Sequence, residues 1–227
     1  MAPAAGAQVV DGRGKFLMPG MWDMHSHAAT AESWLKLYVA NGVTAIRDMG
    51  SDLDPVLAMR DRTASGRVLG PRIFTAGPIL DDPPGDWPLR LRVKTAEDGR
   101  AAVQMLKRRG GDEGHGQRRR RHPGRLRHDD RRLLRAGRAR RHGPRRNDSA
   151  GRLQTATLNP ARYFDLEQTL GSVAPGRTAN LVLLDANPLI DIAHVRRVRA
   201  VVLAGRFLDR KELDNVLAQV KIAAAQP

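Results

Sequence analysis

Residues 108–146 cannot build a core. They hold sixteen arginines, four acids and no Lys, Phe, Tyr, Trp, Val, Ile, Met, Ser or Thr. A segment this poor in apolar side chains has too little to bury to offset the entropy of ordering it. Any packed fold must therefore come from the residues on either side. The formal charge of the chain is +15. Sixteen arginines against four acids give this segment +12, so the remaining +3 is ordinary and the basic character belongs to one stretch. Three readings of the stretch stay open. A basic arm would hold nucleic acid by releasing counterions, but such arms usually interleave aromatics for stacking, so this reading is disfavoured. A solvated, disordered loop fits the low apolar content but not arginine to the exclusion of lysine. A GC-rich coding sequence read out of phase yields mainly Arg, Ala, Gly, Pro and His, which is the composition of Gln117–Arg125 and Ala136–Arg146.

The flanks read as α/β. Gln8–Leu17 is extended. Met21–His25, Val43–Arg47 and Arg72–Ala76 are short apolar runs typical of buried strands. Between them, Thr30–Asn41 and Asp54–Ala64 have helical spacing, and Gly42 marks the end of the first. The second offers Val56, Leu57 and Met59 to a core. Leu80–Arg92 reads as a loop because of Pro83, Pro84, Gly85 and Pro88. Thr95-Ala96-Glu97-Asp98 opens another helix, to about Arg109, in the manner of a capping box. A strand should follow, but no apolar run does. Leu153–Phe164 reads as one helix. Asn180–Leu184 and Arg199–Leu203 read as strands, with a turn at Gly205 and Arg206–Leu208 extending the second. Lys211–Ala225 reads as a terminal helix.

The chemistry-bearing motif is His25-Ser26-His27, at the end of Phe16-Leu17-Met18-Pro19-Gly20-Met21-Trp22-Asp23-Met24. Histidines at i and i+2 on a strand face the same way, and two imidazoles on one face make half of a metal site. Asp23, two residues before His25, falls on that face by the same period.

The stretch from Val9 to His27 resembles the start of the barrel in the amidohydrolase superfamily, nearest the imidazolonepropionase and prolidase-like branch. The resemblance continues through Asn41-Gly42-Val43-Thr44-Ala45-Ile46-Arg47-Asp48-Met49-Gly50 and Gly70-Pro71-Arg72-Ile73-Phe74-Thr75-Ala76-Gly77-Pro78. It resumes with Leu153-Gln154-Thr155-Ala156-Thr157-Leu158-Asn159-Pro160-Ala161-Arg162 and runs on from Gly171 to Asp185. Asn180 stands where relatives usually have Asp. The resemblance implies an incomplete metal-dependent (β/α)8 TIM barrel plus a small β-sandwich formed by N- and C-terminal segments. The implied organisation is residues 1–20 in the sandwich, 21–109 in the first part of the barrel, 110–150 as the Arg-rich segment, 151–168 as the last barrel helix, 169–210 in the sandwich and 211–227 as a terminal helix. A barrel of this type takes about 250 residues, so a deletion as well as a frame disruption is expected here.

The implied activity is hydrolysis of a carbon–nitrogen bond, in a non-peptide amide or a dipeptide, through metal-activated water. His25 and His27 are the implied metal ligands, and the cofactor a divalent metal, zinc, with one or two ions in a complete family member. The other ligands and the proton-handling Asp of relatives come from later strands, and no segment here matches them. No catalytic residue is carried over, and the chain is expected to be incomplete and inactive as written; the alternative is a non-enzymatic fragment with a nucleic-acid-binding arm. His115, His122, His128 and His142 lie in the Arg-rich segment without strand context. Asp23 is either a strand-end carboxylate or a group that orients a ligand histidine. Asp48 caps the turn after its strand, Trp22 packs between barrel and sandwich, and Trp34, Tyr38 and Trp87 anchor core or loops. The expected substrate partner is a small amide or dipeptide. There is no cysteine, hence no thiolate ligand. No run is long enough for a membrane span, and no signal peptide is visible at the N-terminus, which begins inside the family pattern.

Overall fold

The computed structural model describes residues 8–27, 29–81, 90–112 and 149–225. The bulk of the Arg-rich segment, its four histidines and Trp87 lie outside the described residues. In chain order the elements are β1 (Phe16–Pro19), β2 (Met21–Ser26), α1 (Glu32–Ala40), β3 (Val43–Asp48), α2 (Leu53–Ala64), β4 (Arg72–Thr75), β5 (Ile79–Asp81), β6 (Arg90–Arg92), α3 (Ala96–Arg108), α4 (Ser149–Thr155), α5 (Leu158–Tyr163), β7 (Leu181–Leu184), β8 (Val198–Leu203), β9 (Arg206–Leu208) and α6 (Arg210–Ala224). A 3-10 turn at Ile192–Arg196 precedes β8.

Strands β2, β3 and β4 form a parallel sheet with β3 in the middle. Parallel pairing needs a crossover, and α1 and α2 supply it. The central strand is buried from Thr44 to Asp48, as both faces of such a sheet are covered. On one face, Ile46 and Ile73 meet Leu35 of α1 and Val56 and Met59 of α2. On the other, Trp22, Ala45 and Phe74 meet Ala161, Phe164 and Leu170. Trp22 and Phe74 stack with centroids 5.0 Å apart, and Phe74 and Phe164 at 4.3 Å. Trp22 thus packs against the parallel sheet's own cover, with α5 and the residues after it.

The second sheet is antiparallel, in the order β1-β7-β8-β9. Val182 and Leu184 of β7 alternate inward and join Met18, Val201, Leu208, Val39 of α1 and Leu213 of α6 in one core. Among the described residues this is a single sheet, with α1 and α6 sharing its core where a sandwich would place a second sheet. Pairing of β1 begins at Phe16 rather than at Gln8. Residues 206–208 do not extend β8. They return along it as β9, because Ala204 and Gly205 both take left-handed conformations (φ 49° and 86°), the backbone of a tight hairpin.

Three further differences from the sequence expectation have local causes. Ile79–Asp81 and Arg90–Arg92 are not loop but a short parallel pair, pinned by an Arg90–Asp81 ion pair. Residues 153–164 form two helices, not one. Pro160 has no N–H to give the carbonyl of Ala156 four residues earlier, and that carbonyl accepts the N–H of Trp22 instead, at 2.8 Å. Trp34 points to solvent and is 58% exposed, while Leu35 and Val39 take the buried face of α1. In α2 the buried positions are Leu53, Val56 and Met59, with Leu57 only partly covered.

After α3 the chain returns to the free edge of β4. Asp112 N–H donates to the Thr75 carbonyl at 2.8 Å, and its carboxylate accepts the Thr75 N–H at 3.0 Å and faces Arg60 at 3.3 Å.

Candidate functional site

The C-terminal ends of β2, β3 and β4 gather at one end of the parallel sheet, where ligands of such sheets bind. β2 delivers His25 and His27 there. Its ladder with β3 slips between Met21 and Trp22 and is interrupted between Asp23 and Ser26. The second irregularity overrides strict alternation. Asp23 and Ser26, three residues apart, both reach the Tyr38 hydroxyl on α1, at 3.1 and 3.2 Å. Asp23 therefore does not share a face with His25 through the two-residue period. Its link to His25 is through the backbone: Oδ1 accepts the His25 N–H at 2.9 Å.

Both imidazoles are exposed. Their Nε2 atoms stand 3.3 Å apart, and the rings meet edge to face with centroids at 5.1 Å. The other side of His27 is closed by the loop after β3, since a Cβ added at Gly50 would lie 3.4 Å from His27 Nδ1. Asp48 shapes that loop. It is fully buried, accepting the Ser51 N–H at 3.0 Å and the Ser51 hydroxyl at 2.8 Å. Asp48 is thus a turn cap, as its position predicts. Among the described residues no third His, Asp or Glu completes a metal-binding cluster with the pair.

Two residues of this region carry more than the sequence reading gave them. Tyr38 does more than anchor a core. Burial pushes its hydroxyl above the usual tyrosine range, and the Asp23 carboxylate adds to this. Arg47 is 4% exposed, with its guanidinium 5.3 Å over the Tyr163 ring. The signal for Arg47 was a lone cation closing the apolar run Val43-Thr44-Ala45-Ile46; for Tyr38, no local signal exists.

The sequence profile of the amidohydrolase family matches residues 130–208. The match starts upstream of Leu153, inside the Arg-rich segment, and does not include His25 or His27. Adenine deaminase 2 of Jannaschia sp. (strain CCS1) is 49% identical over 43 residues, which are 19% of this chain and 7% of that protein. Adenine deaminase 3 of Rhizobium meliloti (strain 1021) is 53% identical over 47 residues, 19% of this chain and 8% of that one. The matches thus span less than a tenth of these curated relatives. Among solved structures, a protein of Bifidobacterium longum assigned as a prolidase superposes with a TM-score of 0.71 at 18% identity, over 97% of this chain and 89% of that one. A prolidase complexed with N-methylphosphonate-L-proline gives 0.65 at 18% identity, over 92% and 91%. At these identities the likeness is one of α/β fold. No described helix is long and apolar enough to cross a membrane.

Proposed function

We propose that the chain belongs to the amidohydrolase superfamily and carries the metal-binding start of a hydrolase acting on carbon–nitrogen bonds. The single observation behind this is the separation of His25 Nε2 and His27 Nε2. Two nitrogens held about 2.0–2.1 Å from one tetrahedral ion stand roughly 3.3–3.4 Å apart, and these stand 3.3 Å apart. The donor set, two neutral imidazoles reaching from a strand end, suits zinc. A divalent ion supplies Lewis acidity and lowers the pKa of water. The residues do the rest: His25 and His27 hold it by Nε2, and the Gly50 loop fixes the ring of His27.

The names of the similar proteins support a substrate class. Deaminases and dipeptidases both cleave carbon–nitrogen bonds in small molecules, so a small amide or dipeptide is the proposed substrate. On this reading the parallel sheet is the opening of a (β/α)8 barrel, and the antiparallel sheet is part of the small sandwich. A hydrolytic zinc centre takes about three protein ligands and one open position, and the described residues bring together two. The 227-residue chain is therefore proposed to bind one ion without turnover.

The test is zinc titration calorimetry on the full chain and on the His25→Ala, His27→Ala double variant, beside hydrolysis assays on amide and Xaa-Pro substrates with added zinc. One ion per chain, lost in the double variant, with no metal-dependent hydrolysis, is the expected result. Equal zinc binding by both proteins sinks the ligand assignment. Metal-dependent hydrolysis that the double variant lacks sinks the inactivity.

A further inference from the structure

We propose that Tyr38 is a positioning residue for the His25–His27 pair, acting through Asp23 and Ser26; this rests on the reading of the two histidines as metal ligands. A strand normally orients its side chains through its ladder. Here the β2–β3 ladder is interrupted between Asp23 and Ser26, across the stretch that carries His25. Regular pairing does not set the direction of that imidazole there, and such an irregularity re-aims side chains, so the contacts that hold the irregularity in place matter.

The side chains around the interruption do it. The Asp23 carboxylate spans two partners, the His25 N–H on Oδ1 at 2.9 Å and the Tyr38 hydroxyl on Oδ2 at 3.1 Å. Tyrosine has one proton, and a carboxylate can only accept. The proton therefore goes to Asp23, leaving the Tyr38 oxygen to accept from the Ser26 hydroxyl, 3.2 Å away. One phenol thereby holds the residues on both sides of the interruption, one of them lying between the two histidines. Tyr38 is itself fixed, because the neighbouring turns of α1 bury Leu35 and Val39. The arrangement sets the geometry of the pair without touching the ion, so it governs affinity.

Isothermal titration of zinc into the full-length Tyr38→Phe variant tests this, read beside the parent chain and the double histidine variant. Tyr38→Phe keeps the ring and its packing. Loss of a group bonded directly to a ligand weakens metal binding about 10–100-fold; Tyr38 acts one residue further out, so a rise in Kd at the low end, about tenfold, is expected. The melting temperature of the metal-free variant separates positioning from folding, since a purely structural role lowers the melting temperature and leaves the zinc Kd of folded protein unchanged. Should Tyr38→Phe fail to fold, Ser26→Ala removes the other arm of the same arrangement, and it too is expected to weaken binding. Parent-like Kd in the folded variant, with binding abolished in the double histidine variant, overturns the role of Tyr38 and leaves the ligands standing. Parent-like binding in the double histidine variant overturns both.

Discussion

Gly20 sits where no side chain fits. A Cβ there would lie 2.1 Å from Thr44 Oγ1 and 2.4 Å from Thr44 Cγ2, and Thr44 is itself buried in β3. The chain passes this point tightly because Gly20 joins the two sheets: β1 ends at Pro19, β2 begins at Met21, and the Gly20 N–H is held by the Asn180 carbonyl at 2.8 Å. Gly20→Ala must push β3 away or break that bond. Overpacking of this kind costs about 1–3 kcal/mol and occasionally more, and about 3 kcal/mol is expected here, read as a lower urea midpoint at unchanged m-value. A shift below about 0.5 kcal/mol would show that the junction yields freely. At this scale the sequence was only partly legible. His25-Ser26-His27 announces itself as two imidazoles two residues apart at a strand end. The position of Asp23 does not, since its partner Tyr38 arrives only by folding α1 back over the strand.

Helix α3 shows an element that its own residues specify. Thr95 Oγ1 accepts the Asp98 N–H at 3.1 Å, and the Asp98 carboxylate accepts the Thr95 N–H at 2.9 Å. Two of the helix's unpaired amide donors are thereby satisfied, and this reciprocity is readable from four letters. Thr95→Ala is expected to cost about 1 kcal/mol. The hydrogen bonds of Thr95, side chain first and then its N–H, hold the Asp98 carboxyl below the usual aspartate value. A lowered folded pKa means that the unfolded chain takes up the proton first. The contribution of this cap is therefore complete above about pH 4 and fades as the pH falls through the folded value. Thermal melts from pH 7 down to pH 3 check this: the gap between parent and Thr95→Ala should narrow at the acid end, and a constant gap would mean that the Thr95 side chain does not act on the carboxylate. The break between α4 and α5 was not legible in the same way. Pro160, the eighth residue of 153–164, was visible as an interior proline that disfavours one continuous helix, but the fate of the carbonyl it leaves free was not. The break makes sense only with Trp22 present to use the carbonyl of Ala156, and Trp22 lies on a strand more than a hundred residues earlier in the chain.

At the scale of the molecule, the parts on either side of the Arg-rich segment depend on each other. β1 from the first part pairs with β7 from the second over four residues, from Phe16–Leu184 to Pro19–Leu181. Phe164 stacks on Phe74 and Trp22, and the Trp22 N–H ends on Ala156. Val39 of α1 and Leu213 of α6 share one core. Every cluster of the antiparallel sheet and the second face of the parallel sheet therefore needs both parts, whereas only the α1–α2 face is built from the first alone. The sequence could show that residues 108–146 contribute little to a core, but not that the flanks interlock, since nothing local in Phe164 names Phe74 as its partner. The interlocking predicts that residues 1–112 and 149–227, co-expressed as separate chains with an affinity tag on one, purify together. The complex should then melt in a single transition followed equally by circular dichroism and tryptophan fluorescence. Phe164→Ala, which leaves a cavity against two aromatic rings and costs about 3–5 kcal/mol in an intact core, should abolish the co-purification. Recovery of the tagged part alone in the parent pair would mean that the covalent link through the arginines, and not the shared cores, holds the two parts together.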